Sequence, residues 1–226
     1  MPETMTLYTS NGTAVALTSL GKEGGEGAIY SCNDRTDQCA KIFHSRRITA
    51  ELHQKLQVMA ENPPNDPMQP RHHSIAWPEE LLYRDRGGQD FCGYLMPYLD
   101  ERFREAHLYY DTQDRVRQFA GSFTWEHLLC AAWNLASAIA ALHEKGHCVG
   151  DLREKNILIA PDSLITLIDC DSFQILDNQS GTIYFSRVGS PEYLPPQLQR
   201  TSFHDQDHDR YYSDLFSLGV LVFRFL

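Results

Sequence analysis

Three oxygen-bearing side chains, those of Asp151, Asn156 and Asp169, lie in two short apolar segments, VGDLREKNILI and LITLIDCDSF. Asn156 follows Asp151 by five residues, and Asp169 follows Asn156 by thirteen. A strand, a turn and a second strand between Asn156 and Asp169 would bring all three side chains to one small volume. Two of them could hold a hydrated divalent cation, and the third could act as a catalytic base. The spacing therefore predicts phosphoryl transfer.

Two features near the N-terminus fit the same chemistry. The segment LGKEGGEGAIY, residues 20–30, places glycines between two predicted strands, where a turn without Cβ atoms can lie close over phosphates. In CAKIF, strand alternation points Lys41 away from the side of Ala40 and Ile42. If those two face the core, the ammonium reaches the side of the glycine loop. Glycine-rich hairpins and surface lysines are common, so each feature alone also fits a purely structural role.

The elements that must position these residues fall into two groups. Apolar alternation predicts strands over residues 13–20, 27–33, 37–43, 78–85 and 90–99, and helical spacing predicts a helix over 46–61. Beyond residue 100 we expect a short helix over 101–111, a long helix over 124–145, short strands, and an apolar helix from Ser213 onward. The pattern predicts an α+β fold of two lobes, residues 1–97 and 98–226.

Composition narrows the class of protein. The 226-residue chain has a net charge of −10, which argues against nucleic-acid binding. It has neither an apolar run of membrane-spanning length nor the pattern of a signal peptide, so we expect no membrane association. Six cysteines without a CxxC pair favour free thiols in a reducing compartment. These features predict a cytoplasmic protein.

Taken in order, the glycine loop, the strand lysine, the long helix and the Asp-x4-Asn pair resemble the eukaryotic-like protein kinases. The resemblance begins near Leu20 and covers over nine-tenths of the chain. Further segments support it: IDCDSF (168–173) is similar to the DFG region, GSPEYLPPQL (189–198) to the end of the activation segment, and SDLFSLGVLVF (213–223) to a helix with a buried aspartate.

The resemblance implies a two-lobe protein-kinase-like fold, with a five-stranded antiparallel sheet plus one helix and an incomplete, mainly helical second lobe. It implies a bacterial enzyme that uses ATP and Mg²⁺, or Mn²⁺, to transfer the γ-phosphoryl group to serine or threonine hydroxyls of a protein. The chain ends inside an apolar helix, which predicts either a fragment or another chain covering that surface. Similar bacterial proteins suggest a PP2C-type phosphatase as a partner.

Catalytic roles transfer by position. Asp151 would be the base, Asn156 and Asp169 the metal ligands, Lys41 the contact to the α- and β-phosphates, and Arg153 a contact near the transferred phosphate. Glu51, on the predicted helix, would pair with Lys41, although a solvent-facing glutamate paired with Lys55 fits the spacing equally.

The nucleotide-binding and supporting roles transfer in the same way. Asp214 would brace the catalytic-loop backbone, and Ser190 could hydrogen-bond to Asp151. The residues expected around the nucleotide are Leu20, Gly24, Gly25, Gly27, Ile29, Ala40, Lys41, Met96, Pro97, Leu99 and Leu158.

Several departures keep other functions open. HRD reads Val149-Gly150-Asp151, so a phosphorylated activation loop has no arginine partner there, and Gln197 replaces the APE glutamate. DFG reads Asp169-Cys170-Asp171. Asp171 could assist cation binding or add repulsion near the metal, but we expect it to face solvent. The glycine loop carries an extra residue near Glu23. A pseudokinase that binds without turnover, and a kinase acting on a small molecule, are the alternatives.

Overall fold

The computed structural model describes residues 3–119 and 121–226, which divide into two compact units. The first unit comprises residues up to Pro63 together with Trp77–Tyr98, and the second comprises Pro64–Ala76 with Leu99–Leu226. A single cut after residue 97 does not reproduce this division, because residues 64–76 belong with the later part of the chain. The contacts that attach them include two backbone hydrogen bonds, from Ala76 N to Leu167 O and from Leu167 N to Ser74 O.

The first unit is a closed antiparallel barrel of six strands rather than the expected five-stranded sheet. The strands are β1 (Thr4–Thr9), β2 (Ala14–Glu23), β3 (Gly27–Cys32), β4 (Gln38–Phe43), β5 (Glu80–Tyr83) and β6 (Phe91–Pro97), in the order β1-β2-β3-β4-β6-β5. The sequence analysis missed β1. This strand pairs with β2 and also with β5, more than seventy residues later, so part of its support is non-local.

Apolar residues from alternate strand positions fill the barrel. Its core contains Leu7, Val15, Leu17, Tyr30, Cys32, Ala40, Leu82, Cys92 and Leu95. Helix α1 (Ala50–Glu61) begins later than the predicted residue 46, because the Thr49 side chain accepts a hydrogen bond from Leu52 N at 3.1 Å and residues 45–47 form a short 3₁₀ turn. Its buried side chains are Lys55, Leu56 and Met59.

The second unit is mainly helical. Its helices are α2 (His107–Tyr110), α3 (Thr112–Phe119), α4 (Trp125–Glu144) and α5 (Tyr211–Phe225). The single helix expected over 101–111 is replaced by a short strand, β7 (Arg104–Glu105), and by α2, and α3 follows it as a helix that was not predicted. None of the described helices is long and apolar enough to cross a membrane.

Helix α4 matches its prediction and forms the centre of this unit. Thr124 and His127 form a reciprocal capping box, and one apolar face of α4 is buried against α5 and β9. Strands β8 (Ile157–Ile159) and β9 (Ile165–Leu167) form a hairpin beside β7, and β10 (Ile175–Leu176) pairs with β11 (Ile183–Tyr184). Asn156 and Asp169, the predicted metal ligands, lie just before β8 and just after β9.

Candidate active site

Asp151 is a buried carboxylate in the loop between α4 and β8, with 7 % of its surface exposed. The Ser190 hydroxyl donates to Oδ1 at 2.8 Å, as the sequence analysis suggested. On the other oxygen, Arg153 Nε lies 3.2 Å from Oδ2, and Asn156 Nδ2 lies 3.4 Å away. Three polar groups from two segments thus define the direction of one carboxylate, as a catalytic base requires.

Asp214 holds the backbone that carries Asp151. It is fully buried near the start of α5, and its two oxygens accept the backbone N–H groups of Val149 at 2.6 Å and Gly150 at 2.8 Å. Hydrogen bonds to an ionised acceptor are stronger than neutral ones, so this pair anchors the loop firmly. The geometry agrees with the bracing role that the resemblance implied.

His143 and Cys148 also surround Asp214, and their ligand atoms and a carboxylate oxygen lie within 4.8 Å of one another. His143 Nε2 is 3.2 Å from Asp214 Oδ2, while burial raises the pKa of the Cys148 thiol far above its ordinary value. A metal would need the thiolate, and it would compete with the two amide groups for the carboxylate. The cluster therefore acts as a structural hydrogen-bonding group.

Asn156 and Asp169 occupy neighbouring positions on the β8–β9 hairpin. Ile157 pairs with Leu167, and Ile168 N donates to the backbone oxygen of Asn156 at 3.0 Å. The Asn156 amide nitrogen donates a hydrogen bond to the Asp151 backbone oxygen at 2.8 Å. The Asn156 Oδ1 atom is therefore the atom of this side chain that could coordinate a cation. The register thus places the two residues beside each other at the open end of the hairpin.

Asp169 is exposed and adopts a left-handed conformation, with φ 59° and ψ 39°. Aspartate tolerates this region better than most residues, and such conformations concentrate at functional sites. Carboxylate and carboxamide oxygens are the hard ligands that Mg²⁺ prefers. The residues present fit a magnesium ion.

Asp171 corrects one expectation from the sequence. It was expected to face solvent, but only 6 % of its surface is exposed, and it lies in a 3₁₀ turn formed by residues 170–172. The turn closes by hydrogen bonds from Ser172 N and Oγ to the Asp169 backbone oxygen. Local hydrogen bonding in this turn therefore directs Asp171 inward. The polarity of the aspartate side chain did not indicate this burial.

The glycine loop of the first unit is a tight hairpin between β2 and β3. Gly24 N donates to Gly27 O at 2.8 Å, and a β-bulge interrupts the pairing between Ser19 and Lys22. The bulge contains Leu20 and Gly21, with Gly21 at φ 65°. It absorbs the additional residue that the sequence analysis noted near Glu23. Gly24 and Gly25 are exposed, whereas Leu20 is half-buried.

Gly27 is constrained by close packing. A Cβ atom at Gly27 would lie 2.2 Å from Ile42 O, so no larger residue fits while β3 and β4 remain paired. The close contact between β3 and β4 therefore explains why this residue is glycine. A role of Gly27 in covering phosphates stays a prediction.

Lys41 is buried in β4, with 6 % of its surface exposed, and its Nζ lies 3.7 Å from a carboxylate oxygen of Glu26 in the glycine loop. The predicted partner, Glu51, is instead exposed in the first turn of α1 and forms no ion pair within 4.0 Å among the described residues. The helix begins four residues later than predicted and buries Lys55 on its inner face. The pairing of Lys41 with Glu51 was therefore wrong for this structure.

Ala40 is a second correction, because it lies in the barrel core and points away from the face of Lys41. Successive strand residues alternate, so the residue that shares the face of Lys41 is Cys39. Cys39 is 4 % exposed, pairs across the sheet with Met96, and its Sγ lies 3.6 Å from Pro97 O. Burial raises its pKa to about 12, so it lines this face as a neutral apolar group. The period of two in CAKIF could have identified Cys39.

The remaining predicted residues are distributed over both units. Ile29 is paired with Lys41, and Met96 and Pro97 end β6 opposite Cys39 and Gln38. Leu99 and Leu158 belong to the second unit, where both are half-buried, and Leu158 pairs with Thr166. Each unit thus contributes its own part of the predicted set.

Comparisons with known proteins agree with this arrangement. The family model described as protein kinase domain matches residues 17–226. Two relatives named protein kinase YegI, from Escherichia coli O157:H7 and strain K12, are each 36% identical over 98% and 100% of this chain. An Aurora kinase from Debaryomyces hansenii is 32% identical over 42% of the chain and 22% of its own length.

The chain spans 33% of the length of the two YegI proteins. The family match covers nearly the whole chain, and it includes the aspartate, the asparagine and the second aspartate whose geometry is described above. The chain therefore belongs to the protein kinase family.

Proposed function

We propose that this chain is an ATP- and Mg²⁺-dependent kinase that transfers the γ-phosphoryl group to serine or threonine hydroxyls of a protein substrate. The observation that carries the proposal is the fixed orientation of Asp151. Its two oxygens are contacted by Ser190 and Arg153, and Asp214 anchors the backbone immediately before it. An aspartate held in this way can accept the proton of an incoming hydroxyl.

Each of the neighbouring residues has a distinct part in the proposed reaction. Asn156 and Asp169 would hold Mg²⁺, which when bound would offset the negative charge of the ATP phosphates. Lys41 would contact the α- and β-phosphates after Glu26 moves away from it. Arg153, half-exposed beside Asp151, would attract the transferred phosphoryl group.

The preference for serine or threonine rests on two residues. Ser190 precedes Pro191 and Tyr193 and contacts the base directly, while Arg153 stands where serine/threonine kinases carry a basic residue. Several relatives are named serine/threonine-protein kinases, which supports the same preference.

The experiment measures phosphoryl transfer from labelled ATP to a mixture of protein acceptors in the presence of Mg²⁺. Asp151→Asn and Asp169→Asn should each reduce transfer by a factor of about 100 or more, since each removes a charge used in the transition state. Asp162→Asn is the matched control, because Asp162 is exposed in the β8–β9 turn. Equal transfer by all four proteins would refute the proposal.

A second candidate function is nucleotide binding without turnover. It is favoured by the contact of Lys41 with Glu26 and by the buried Asp171 at the position of the DFG glycine. In that case ATP and Mg²⁺ would raise the melting temperature, while no transfer would occur to proteins or to a panel of small metabolites. Transfer to metabolites alone would indicate a small-molecule kinase. A PP2C-type phosphatase partner stays a prediction, which co-purification with such a phosphatase would test.

A further inference from the structure

Arg210 is a buried cation immediately before α5, and none of its surface is exposed. It has no part in the phosphoryl-transfer mechanism proposed above. Burying a guanidinium is costly unless its N–H groups are paired, so its partners show what the burial achieves.

The guanidinium is paired on two sides. Its Nη1 donates to Val188 O at 2.8 Å, and its Nη2 donates to Gly150 O. Its Nε lies 3.4 Å from the Ser213 hydroxyl, and the group stacks 3.9 Å from the centre of the Phe203 ring. A planar fork suits two carbonyl groups at a fixed separation better than a flexible ammonium does.

The two carbonyl groups belong to the two stretches of chain that meet at the catalytic base. Gly150 directly precedes Asp151, and Val188 lies two residues before Ser190, whose hydroxyl donates to Asp151. One side chain thus links the catalytic loop to the activation segment, residues 174–198. Asp214 accepts from the N–H of Gly150 and Arg210 donates to its C=O, so the peptide groups on both sides of Gly150 are held.

Position 150, where the family's HRD motif has an arginine, is sterically restricted to glycine. The φ of Gly150 is 78°, and an added Cβ would lie 2.4 Å from the Ser186 hydroxyl. Ser186 is itself buried in the activation segment. A larger side chain does not fit at position 150 while Ser186 holds its place, so the arginine of the family's HRD motif is absent here. The guanidinium of Arg210, which lies just before α5, contacts the Gly150 carbonyl group instead.

The surrounding charges favour the ionised guanidinium. Burial lowers the pKa of Arg210, and the nearby carboxylates of Asp214 and Asp151 oppose that effect. Arg210 can therefore stay ionised in its buried position beside the catalytic loop.

We propose that Arg210 is a positioning residue that holds the activation segment against the catalytic loop, so that Ser190 reaches Asp151 without phosphorylation of the segment. This proposal rests on the proposed kinase function for its effect on turnover. Its structural part, the ordering of residues 183–190, is independent of turnover and can be measured separately.

The test compares the wild-type chain with Arg210→Met, Arg210→Lys and the matched control Arg187→Met, whose arginine is exposed and paired with Asp207 at 2.7 Å. All proteins are treated with a broad-specificity phosphatase, and intact mass confirms that no phosphate remains. Hydrogen exchange is followed in peptides covering residues 183–190 and, as an internal reference, residues 125–144. Turnover is measured with labelled ATP.

We expect dephosphorylated wild type to keep its protection at 183–190 and its turnover. Arg210→Met should speed exchange there by a factor of about 10 or more relative to the reference helix, since two charge-assisted hydrogen bonds are lost. Its kcat should fall by a factor of about 100 with the KM for ATP changed less than about threefold, because the loss acts on the base. Arg210→Lys should be intermediate, and Arg187→Met should match wild type.

Three results would overturn the proposal: loss of protection in wild type on dephosphorylation, equal exchange in Arg210→Lys and wild type, or equal effects of Arg210→Met and Arg187→Met. If Arg210→Met does not fold, the lysine variant and the dephosphorylated wild type still decide. A wild type that shows the expected exchange but no turnover would instead contradict the proposed function alone.

Discussion

The catalytic loop and the glycine loop are held in opposite ways. Around Asp151 the contacts are buried: Asp214 and Arg210 are fully buried and hold the two peptide groups that flank Gly150. The glycine loop is held by exposed groups, with His44 Nε2 3.0 Å from Gly24 O and Arg46 donating to Gly25 O at 3.3 Å. Buried polar contacts are costly to break, whereas exposed ones exchange readily with water.

This difference fits the two tasks of a kinase. A base must point in one direction, because a small error in its placement lowers the rate greatly. A loop that covers phosphates must open and close, and an exposed contact such as that between Arg47 and Glu26 can be replaced by a phosphate contact. We therefore expect substitutions near Asp151 to act on stability and turnover, and those in the glycine loop to act on nucleotide affinity.

The largest effect is expected for Asp214→Asn. The substitution removes the charge from two buried hydrogen bonds and places an amide N–H against a backbone N–H. We expect a loss of about 3 kcal/mol in the free energy of unfolding. Urea denaturation measures it, with Asp162→Asn as control. A loss below about 1 kcal/mol would contradict the bracing role, since ordinary surface substitutions reach only half of that.

Gly150→Ala should be next in size. Both the left-handed conformation and the contact with Ser186 oppose a Cβ atom, and together they should lower the free energy of unfolding by more than about 2 kcal/mol. Gly181→Ala is a matched control, because Gly181 has a φ of 74° with nothing within 4 Å of the added Cβ. It should show only the conformational cost, about 1 kcal/mol. Equal losses in both variants would show that Ser186 exerts no steric constraint.

A smaller effect, and a gain rather than a loss, is expected for the affinity of the glycine loop for ATP. Glu26→Gln removes the carboxylate that lies beside Lys41, so the affinity for ATP should rise about threefold, as expected for a partly exposed ion pair. Glu23→Gln removes a charge from the same loop without a contact to Lys41 and serves as control. Calorimetric titration measures both. Weaker ATP binding by Glu26→Gln would show that Glu26 supports the nucleotide site.

The smallest effect concerns the attachment of α1 to its sheet. His53 stacks on Phe91 with ring centres 4.5 Å apart, and burial lowers its pKa. Protonation then favours the unfolded chain, so stability should fall as the pH drops below the unfolded value of about 6.5. His53→Leu should reduce this slope of melting temperature against pH, whereas the exposed His204→Leu should keep it. An unchanged slope in His53→Leu would remove His53 as its source.

Local patterns were sufficient for many features of this chain. The long helix lies within one residue of its predicted bounds, and Lys41 faces away from Ala40 and Ile42 as strand alternation predicts. These two features follow from periodicity within one segment, which neighbouring residues specify. The contacts of Ser190 and Asp214 join segments that are distant in the sequence, and they were expected from the family resemblance.

The sequence by itself determined the order of the elements, the family and the residues of the catalytic loop. Only the tertiary structure showed that β1 closes the barrel, that Glu26 replaces Glu51 beside Lys41, that Asp171 is buried, and that Arg210 reaches Gly150 across sixty residues. Those outcomes depend on pairing between distant segments and on the space left by a missing side chain. No local pattern encodes them, because the free energy of each contact depends on partners brought close only by the fold.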